Sequence, residues 1–324
     1  MPGEFAFIDA LRARVRSAPG VTLGIGDDAA LLAPTAGEEL VVTCDTMVAG
    51  VHFPLDTPPA DVGYKLAAVN LSDLAAMGAT PRWCTLALTL PSLEPGYLDP
   101  LLTGLLALAD AHGMALVGGD TTRGPLTLTL TAFGCLPAGS ALRRDGARAG
   151  DAVYVSGTLG DAAAALALRG TRIDPGDGEG KLARTRLQQR LTRPTPRVAL
   201  GEALRGVAHA CIDVSDGLAA DLGHICRLSG LAAVIEADAL PASRALLPLV
   251  ADARQRLRLQ LGGDDYELCF TVPPEREPLL VAIAAQAHVP LTRIGTLGPG
   301  EGVHLIDTDG RVVAPPVAGY DHFG

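Results

Sequence analysis

The sequence predicts two α/β domains, and three observations carry that expectation. The chain has 324 residues, more than one hydrophobic core usually serves. Strand-like and helix-like stretches alternate through both halves. Between the halves, residues 136–150 hold Pro137, Gly139, three arginines, Gly146 and Gly150, the composition of a connector. The expected division is residues 1–137, a linker over 138–150, and residues 151–324.

In the first half, residues 40–43 and 84–90 read as strands. Residues 59–79 read as a helix, because Leu66, Leu74 and Met77 share one broad face. A second helix is expected over 97–111, opened by proline and glycine. Residues 115–117 read as a short strand stopped by Gly118-Gly119. Residues 126–133 alternate Leu and Thr, the period of a half-buried strand. The second half restarts with a strand over 152–155 and an alanine-rich helix over 161–168. Polar, glycine-rich residues 171–180 read as an exposed loop. Helices over 197–205 and 218–228 flank a strand over 210–212, and segments 268–272, 278–286, 291–296 and 303–306 continue the alternation. Mixed sheets flanked by helices would result, with a cleft between the domains, a common place for ligands.

Composition narrows the function classes. Hydrophobic residues make up 48% and aromatics only 4%, so the cores must be built from Leu, Val and Ala. The net charge of −10 disfavours a nucleic-acid partner, which needs clustered Lys and Arg. Lys65 and Lys181 are the only lysines; arginine, the better bidentate partner of phosphate, supplies nearly all the positive charge. The Arg and Ala richness also fits a plain bias of genome composition. No apolar run approaches the roughly 18 residues of a membrane span, and the first 16 residues lack the order of a signal peptide, so a cytoplasmic protein is expected. Six scattered cysteines without a C-x-x-C pair read as buried, reduced thiols.

The placement of aspartates is the informative feature. They follow apolar runs, in small-residue segments where strand ends would present them: Gly24-Ile25-Gly26-Asp27-Asp28, Thr43-Cys44-Asp45-Thr46, Asn70-Leu71-Ser72-Asp73, Gly118-Gly119-Asp120-Thr121, Asp213-Val214-Ser215-Asp216-Gly217 and Gly262-Gly263-Asp264-Asp265. Any single Asp in such a place serves as a turn former or helix cap just as readily. Six such segments in one chain favour a site of hard oxygen ligands, suited to magnesium and to substrate phosphates. On the 59–79 helix, Leu66, Asn70, Asp73 and Met77 share one face, where two polar residues interrupt an apolar stripe. That face is either a solvated edge or turned to a polar cleft. Two carboxylates 4 Å apart repel by roughly 4 kcal/mol at an effective dielectric of about 20, so a gathered set requires cations; with them it forms a phosphate clamp.

Competing motifs fit less well. Residues 24–29 match G-x-G-x-x-A, with Asp45 near the acidic position of a dinucleotide fold, but Asp27 and Asp28 would face the pyrophosphate. There is no P-loop, G-x-S-x-G elbow or protein-kinase catalytic loop. His52, flanked by apolar residues, reads as structural, and Arg143 and Arg144 as solvated or as reaching across the cleft.

Taken in order, these segments resemble the thiamine-monophosphate kinases, within the wider family of aminoimidazole-ribotide synthetase-like ATP enzymes. The resemblance runs nearly the full chain, from Gly3-Glu4-Phe5 to Gly319-Tyr320-Asp321-His322-Phe323. It implies a two-domain synthetase-like fold whose N-terminal domain binds ATP and magnesium and forms a homodimer through its sheet. The implied reaction moves the γ-phosphoryl group of ATP directly onto the phosphate of thiamine monophosphate. By the same resemblance, several magnesium ions fall to Asp28, Thr43, Cys44, Asp45, Asp73, Asp120, Asp213 and Asp216. Nucleotide contacts fall to Gly119, Asp120, Arg144 and Ser215, and acceptor contacts to His52, Asp264 and Tyr320. Asp45, Asp120 and Asp216 are the implied catalytic centre. Cys44 stands where Thr or Ser is common and would contribute only its carbonyl; Asp264 stands where Glu is common and reaches one methylene less far. The other expectations weighed are a related enzyme activating an amide or carbonyl oxygen, a non-catalytic nucleotide-binding regulator, and, weakest, a nicotinamide-dependent oxidoreductase. Selenophosphate-forming and hydrogenase-maturation relatives are disfavoured, since residues 1–26 and the C-terminus carry no cysteine.

Overall fold

The computed structural model describes residues 4–16, 18–169, 178–306, 310–315 and 319–320. The chain divides into two compact units: Met1–Leu74 with Ala79–Ala141, and Ala75–Gly78 with Leu142–Gly324. Among the described residues no helix is long and apolar enough to cross a membrane.

The first unit runs α1 (Glu4–Arg14), β1 (Val21–Leu23), β2 (Leu31–Leu32), β3 (Glu38–Val48), α2 (Pro59–Ala76), β4 (Thr80–Leu90), α3 (Pro95–Ala111), β5 (Ala115–Arg123) and β6 (Thr127–Pro137). Its four-stranded sheet has the order β3-β6-β4-β5, antiparallel except for the parallel β4–β5 pair. The Leu/Thr alternation of β6 does what the period predicts: Leu128, Leu130 and Ala132 are buried and the intervening threonines are partly open. Helices α2 and α3 meet backbone to backbone. A Cβ on Gly63 would lie 1.9 Å from the Leu101 carbonyl oxygen, and one on Gly104 1.9 Å from that of Ala60. On the opposite face of the sheet, Trp83 donates its indole N–H to the Pro19 carbonyl at 3.1 Å, pinning the β1–β2 ribbon over Val117 and Cys135.

Strands β3 and β5 exceed their expected bounds where candidate site residues lie. Strand β3 extends to Val48, so Thr43, Cys44 and Asp45 sit inside it and not after its end. Strand β5 continues through Gly118-Gly119 to Arg123, because its ladder with β4 carries it past residues that break a strand in isolation.

The second unit runs β7 (Ala152–Ser156), α4 (Asp161–Ala167), α5 (Gly178–Thr192), α6 (Val198–Leu204), β8 (Ala210–Asp213), α7 (Leu218–Ser229), β9 (Ala232–Glu236), α8 (Ala253–Gln260), β10 (Leu268–Val272), α9 (Leu280–Ala287), β11 (Leu291–Gly298), β12 (Gly302–Ile306) and β13 (Val312–Val313). Its seven strands take the order β13-β12-β9-β11-β7-β10-β8, antiparallel except for β9–β12. Every residue of β10 is buried. One core joins Val153, Ile212, Leu222 and Ile235; a second joins Ala164, Leu187, Leu191 and Leu246. The expected loop over 171–180 ends in the first turn of α5, while 171–177 lie outside the described residues. Helices α1, α5 and α8 and strands β1, β2, β9 and β13 are additions to the elements read from sequence.

Candidate active site

In the first unit the period-2 geometry of β3 sorts the sequence-predicted residues by face. Thr43 and Asp45 register with Ala132 and Leu130 on the side that carries α2, whereas Cys44 registers with Thr131, whose hydroxyl meets its sulfur at 3.4 Å on the other face. The Cys44 thiol is therefore turned away from Asp45. The Thr43 hydroxyl donates to the Asp73 carboxylate, joining β3 to α2. One turn earlier on α2, Asn70 is fully buried, with its amide N–H on the Leu66 carbonyl at 3.0 Å and its Oδ1 without a partner. That burial excludes the solvated-edge reading of this helix face.

Burial, then the charge of Asp73 and a hydrogen bond shared with it, push Asp45 up from 3.8 to about 7. Without a cation, the pair holds a proton near neutral pH. Asp28 lies exposed in a turn, its N–H donating to the Asp27 carboxylate at 2.8 Å. Asp120 is exposed on β5, and the adjacent Gly119 leaves room for the Leu86 carbonyl, 1.9 Å from where a Cβ would stand. Among the described residues no three His, Cys, Asp or Glu side chains form an ion cage. Within the first unit the structure brings Thr43, Asp45 and Asp73 together. Such a pair still suits magnesium, which keeps several waters and uses one or two carboxylates plus substrate phosphates. The orphaned Asn70 Oδ1 on the same helix face is a further acceptor for such a water. His52 closes the turn after β3: the Val48 N–H donates to its Nδ1 at 3.0 Å, which puts the proton of the neutral ring on Nε2.

In the second unit three loops converge. Strands β8 and β10 are antiparallel neighbours, so the end of one and the start of the other share an edge of the sheet. The ladder continues into the loops: Val214 N–H to the Glu267 carbonyl at 2.8 Å, Tyr266 N–H to that of Val214 at 2.9 Å, and Asp264 N–H to that of Ser215 at 2.7 Å. The Tyr320 N–H donates to the Asp216 carbonyl at 3.0 Å. Ser215, Asp216, Asp264 and Tyr320 are brought together in this way, with Asp213 buried beneath them at the end of β8. Asp321, His322 and Phe323, with Gly3, lie outside the described residues. Arg144 is exposed; its carbonyl accepts from the Ser229 hydroxyl at 3.2 Å, while neighbouring Arg143 pairs with Asp145.

Several residues here escaped the sequence reading. The buried Asp221 carboxylate accepts the N–H groups of Ser215, Asp216 and Gly217 at 3.0, 3.2 and 3.0 Å, holding the loop in one shape. Burial and the facing Asp216 push this group up to about 7, against the pull of its three amide donors. Asp265 and Glu267 are buried beside Arg190 and Arg197. The one available signal was the carboxylate-dense string from Gly262 to Glu267, which does not say which side chains point inward.

The profile described as AIR synthase related protein, N-terminal domain, matches residues 26–136, and its C-terminal counterpart matches residues 148–308. The thiamine-monophosphate kinase of Salmonella typhimurium is 49% identical over 99% of this chain and 98% of its own length. The chain belongs to the thiamine-monophosphate kinase family. Among solved structures, the thiamine-monophosphate kinase of Stenotrophomonas maltophilia K279a is 52% identical with a TM-score of 0.87, covering 96% of this chain and 98% of that one. A second, AaThiL complexed with AMPPCP and TMP, is 31% identical with a TM-score of 0.77, covering 99% and 97%. The two-domain fold of mixed sheets and helices expected from the sequence is the fold of this family, and the dinucleotide reading of residues 24–29 falls away.

Proposed function

We propose that the chain transfers the γ-phosphoryl group of ATP directly to the phosphate of thiamine monophosphate, giving thiamine diphosphate. The observation that carries this reading is the Asp45–Asp73 carboxylate pair, joined across β3 and α2 by the Thr43 hydroxyl, whose like charges a cation would neutralise. Magnesium, held by Asp45 and Asp73 with Asp28, Thr43, Asp120, Asp213 and Asp216 as further ligands and the Cys44 carbonyl as one more, would neutralise the phosphates and orient them. The acceptor phosphate is already ionised near neutral pH, so no strong base is required and positioning carries the catalysis. Gly119, Asp120, Arg144 and Ser215 contact the nucleotide. The His52 Nε2–H donates a hydrogen bond to the acceptor phosphate. Tyr320, 57% exposed, stacks on the heterocycle, and Asp264 attracts the cationic thiazolium.

On this reading residues 1–137 form the nucleotide and metal domain, 138–150 a linker, and 151–324 the second domain. Two copies pair through the open face of the first sheet, where Leu40 and Val42 are 48% and 54% exposed. Six free cysteines suit a reducing cytoplasm. The test is incubation with ATP, magnesium and thiamine monophosphate: thiamine diphosphate should form and ADP accumulate in equal amount. Formation of ADP without it would sink the reading.

A further inference from the structure

The loop from Gly262 to Glu267 carries two residues in a conformation that L side chains rarely adopt: Asp264 at φ 72° and Tyr266 at φ 52°. Backbone strain of this kind persists only where the surroundings over-determine it, and it gathers at functional sites. Side chains alternate along the segment. Asp264 and Tyr266 are partly open, while Asp265 and Glu267 are 1% and 0% exposed.

The inward pair is held from several elements at once. Arg197 grips the Glu267 carboxylate with two parallel bonds, Nε to Oε2 at 2.6 Å and Nη2 to Oε1 at 2.5 Å. Arg190, from α5, adds Nη2 to Oε1 at 2.8 Å, and the same nitrogen reaches the Asp265 carbonyl at 3.2 Å. The Ser156 hydroxyl donates to Oε2 at 2.6 Å and accepts the Leu268 N–H at 2.9 Å. Space for the carboxylate exists because residue 157 is glycine; a Cβ there would lie 2.2 Å from Oε1. Asp265 caps the start of α4, accepting the Gly160 N–H at 2.9 Å.

We infer that Glu267, clamped by Arg190 and Arg197, is a positioning residue that imposes the left-handed turn on Asp264 and Tyr266 and so sets how the enzyme engages the acceptor. The argument rests on the reading above that Asp264 faces thiamine monophosphate. A buried carboxylate serving two arginines costs desolvation that an apolar trio would avoid, so it is weak evidence of stabilisation. What it supplies is geometry: the bidentate fork fixes the carboxylate's plane, and the short backbone leading into β10 carries that constraint to Tyr266 and Asp264.

The test uses the full chain with E267Q and R197K, the second keeping the charge and losing the fork. Each variant should raise the KM for thiamine monophosphate by between about tenfold and a hundredfold and leave the KM for ATP within about twofold. Hydrogen exchange, which needs no acceptor, should speed up in peptides spanning 262–268 and stay unchanged over β7 and β11. A merely structural clamp would lower the melting temperature and the active fraction without moving either KM, and that result overturns the inference. So does faster exchange spread over the whole second unit. Should E267Q not fold, R197K decides alone by the same criteria. Should the wild-type enzyme make no thiamine diphosphate, the reading of the reaction fails, and the exchange measurement still decides the positioning role.

Discussion

Replacing Asp45 with Asn should stabilise the metal-free protein at pH 8 while abolishing its activity. Asn has the shape of a protonated Asp and can still donate to Asp73, but carries no charge. A rise from 3.8 to about 7 corresponds to about 4 kcal/mol of preference for the protonated form. Solvent reaching this partly open pair reduces that to about 2 kcal/mol. The sign follows from linkage: a carboxylate whose pKa rises on folding loses stability as pH climbs from about 4 to about 7, and the penalty is complete above that. In chelator at pH 8, the unfolding transition of Asp45→Asn should therefore lie about 5 °C above wild type, and at pH 4 the two should coincide. Thermal unfolding followed by circular dichroism at both values checks this. A variant destabilised equally at both would refute the reasoning, because Asp45 would then act through packing or as a turn former and not as a charge awaiting a cation.

Three other outcomes follow from the same structure. Chelation should stop turnover and magnesium or manganese restore it, with binding of the ion releasing protons near pH 7 as the Asp45–Asp73 pair ionises; calorimetry in buffers of different ionisation enthalpy reads the release, and its absence contradicts the shared proton. Tyr320→Ala should raise the KM for thiamine monophosphate about tenfold, as loss of about 1.4 kcal/mol of stacking implies, and leave the KM for ATP nearly unchanged; equal weakening of both would remove Tyr320 from the acceptor site. Gly104→Ala should destabilise the first unit by about 1–3 kcal/mol, since its Cβ would stand 1.9 Å from the Ala60 carbonyl oxygen and the α2–α3 contact cannot open without loss; an unchanged melting temperature would mean the helices adjust freely.

Much of the architecture was legible because it rests on short-range pattern. The Leu/Thr period of β6, the apolar face of α2 and the proline that opens α3 are each written within a few residues. Helix α5 was not read from the sequence: Ala183, Leu187 and Leu191 stand at four-residue spacing on one face, but the glycines before them masked its start. The bounds of β3 and β5 were not legible either, because the hydrogen bonds that carry them past Cys44 and Gly119 come from β6 and β4.

By itself the sequence determined the class of chemistry: many carboxylates in small-residue segments, no nucleophile and no phosphate-binding lysine loop, in an order that marks the family. Tertiary structure alone decided which of those carboxylates meet. Thr43 and Asp73 lie 30 positions apart, and only the packing of α2 on β3 joins them and raises Asp45. Strand register turned Cys44 away from its neighbours on either side. Arg190 and Arg197 stand 77 and 70 positions from Glu267, a separation over which composition and period carry no information about partners. A residue's type and local period are set by its neighbours in the chain; its partner, its burial and hence its pKa are set by whatever the fold closes against it.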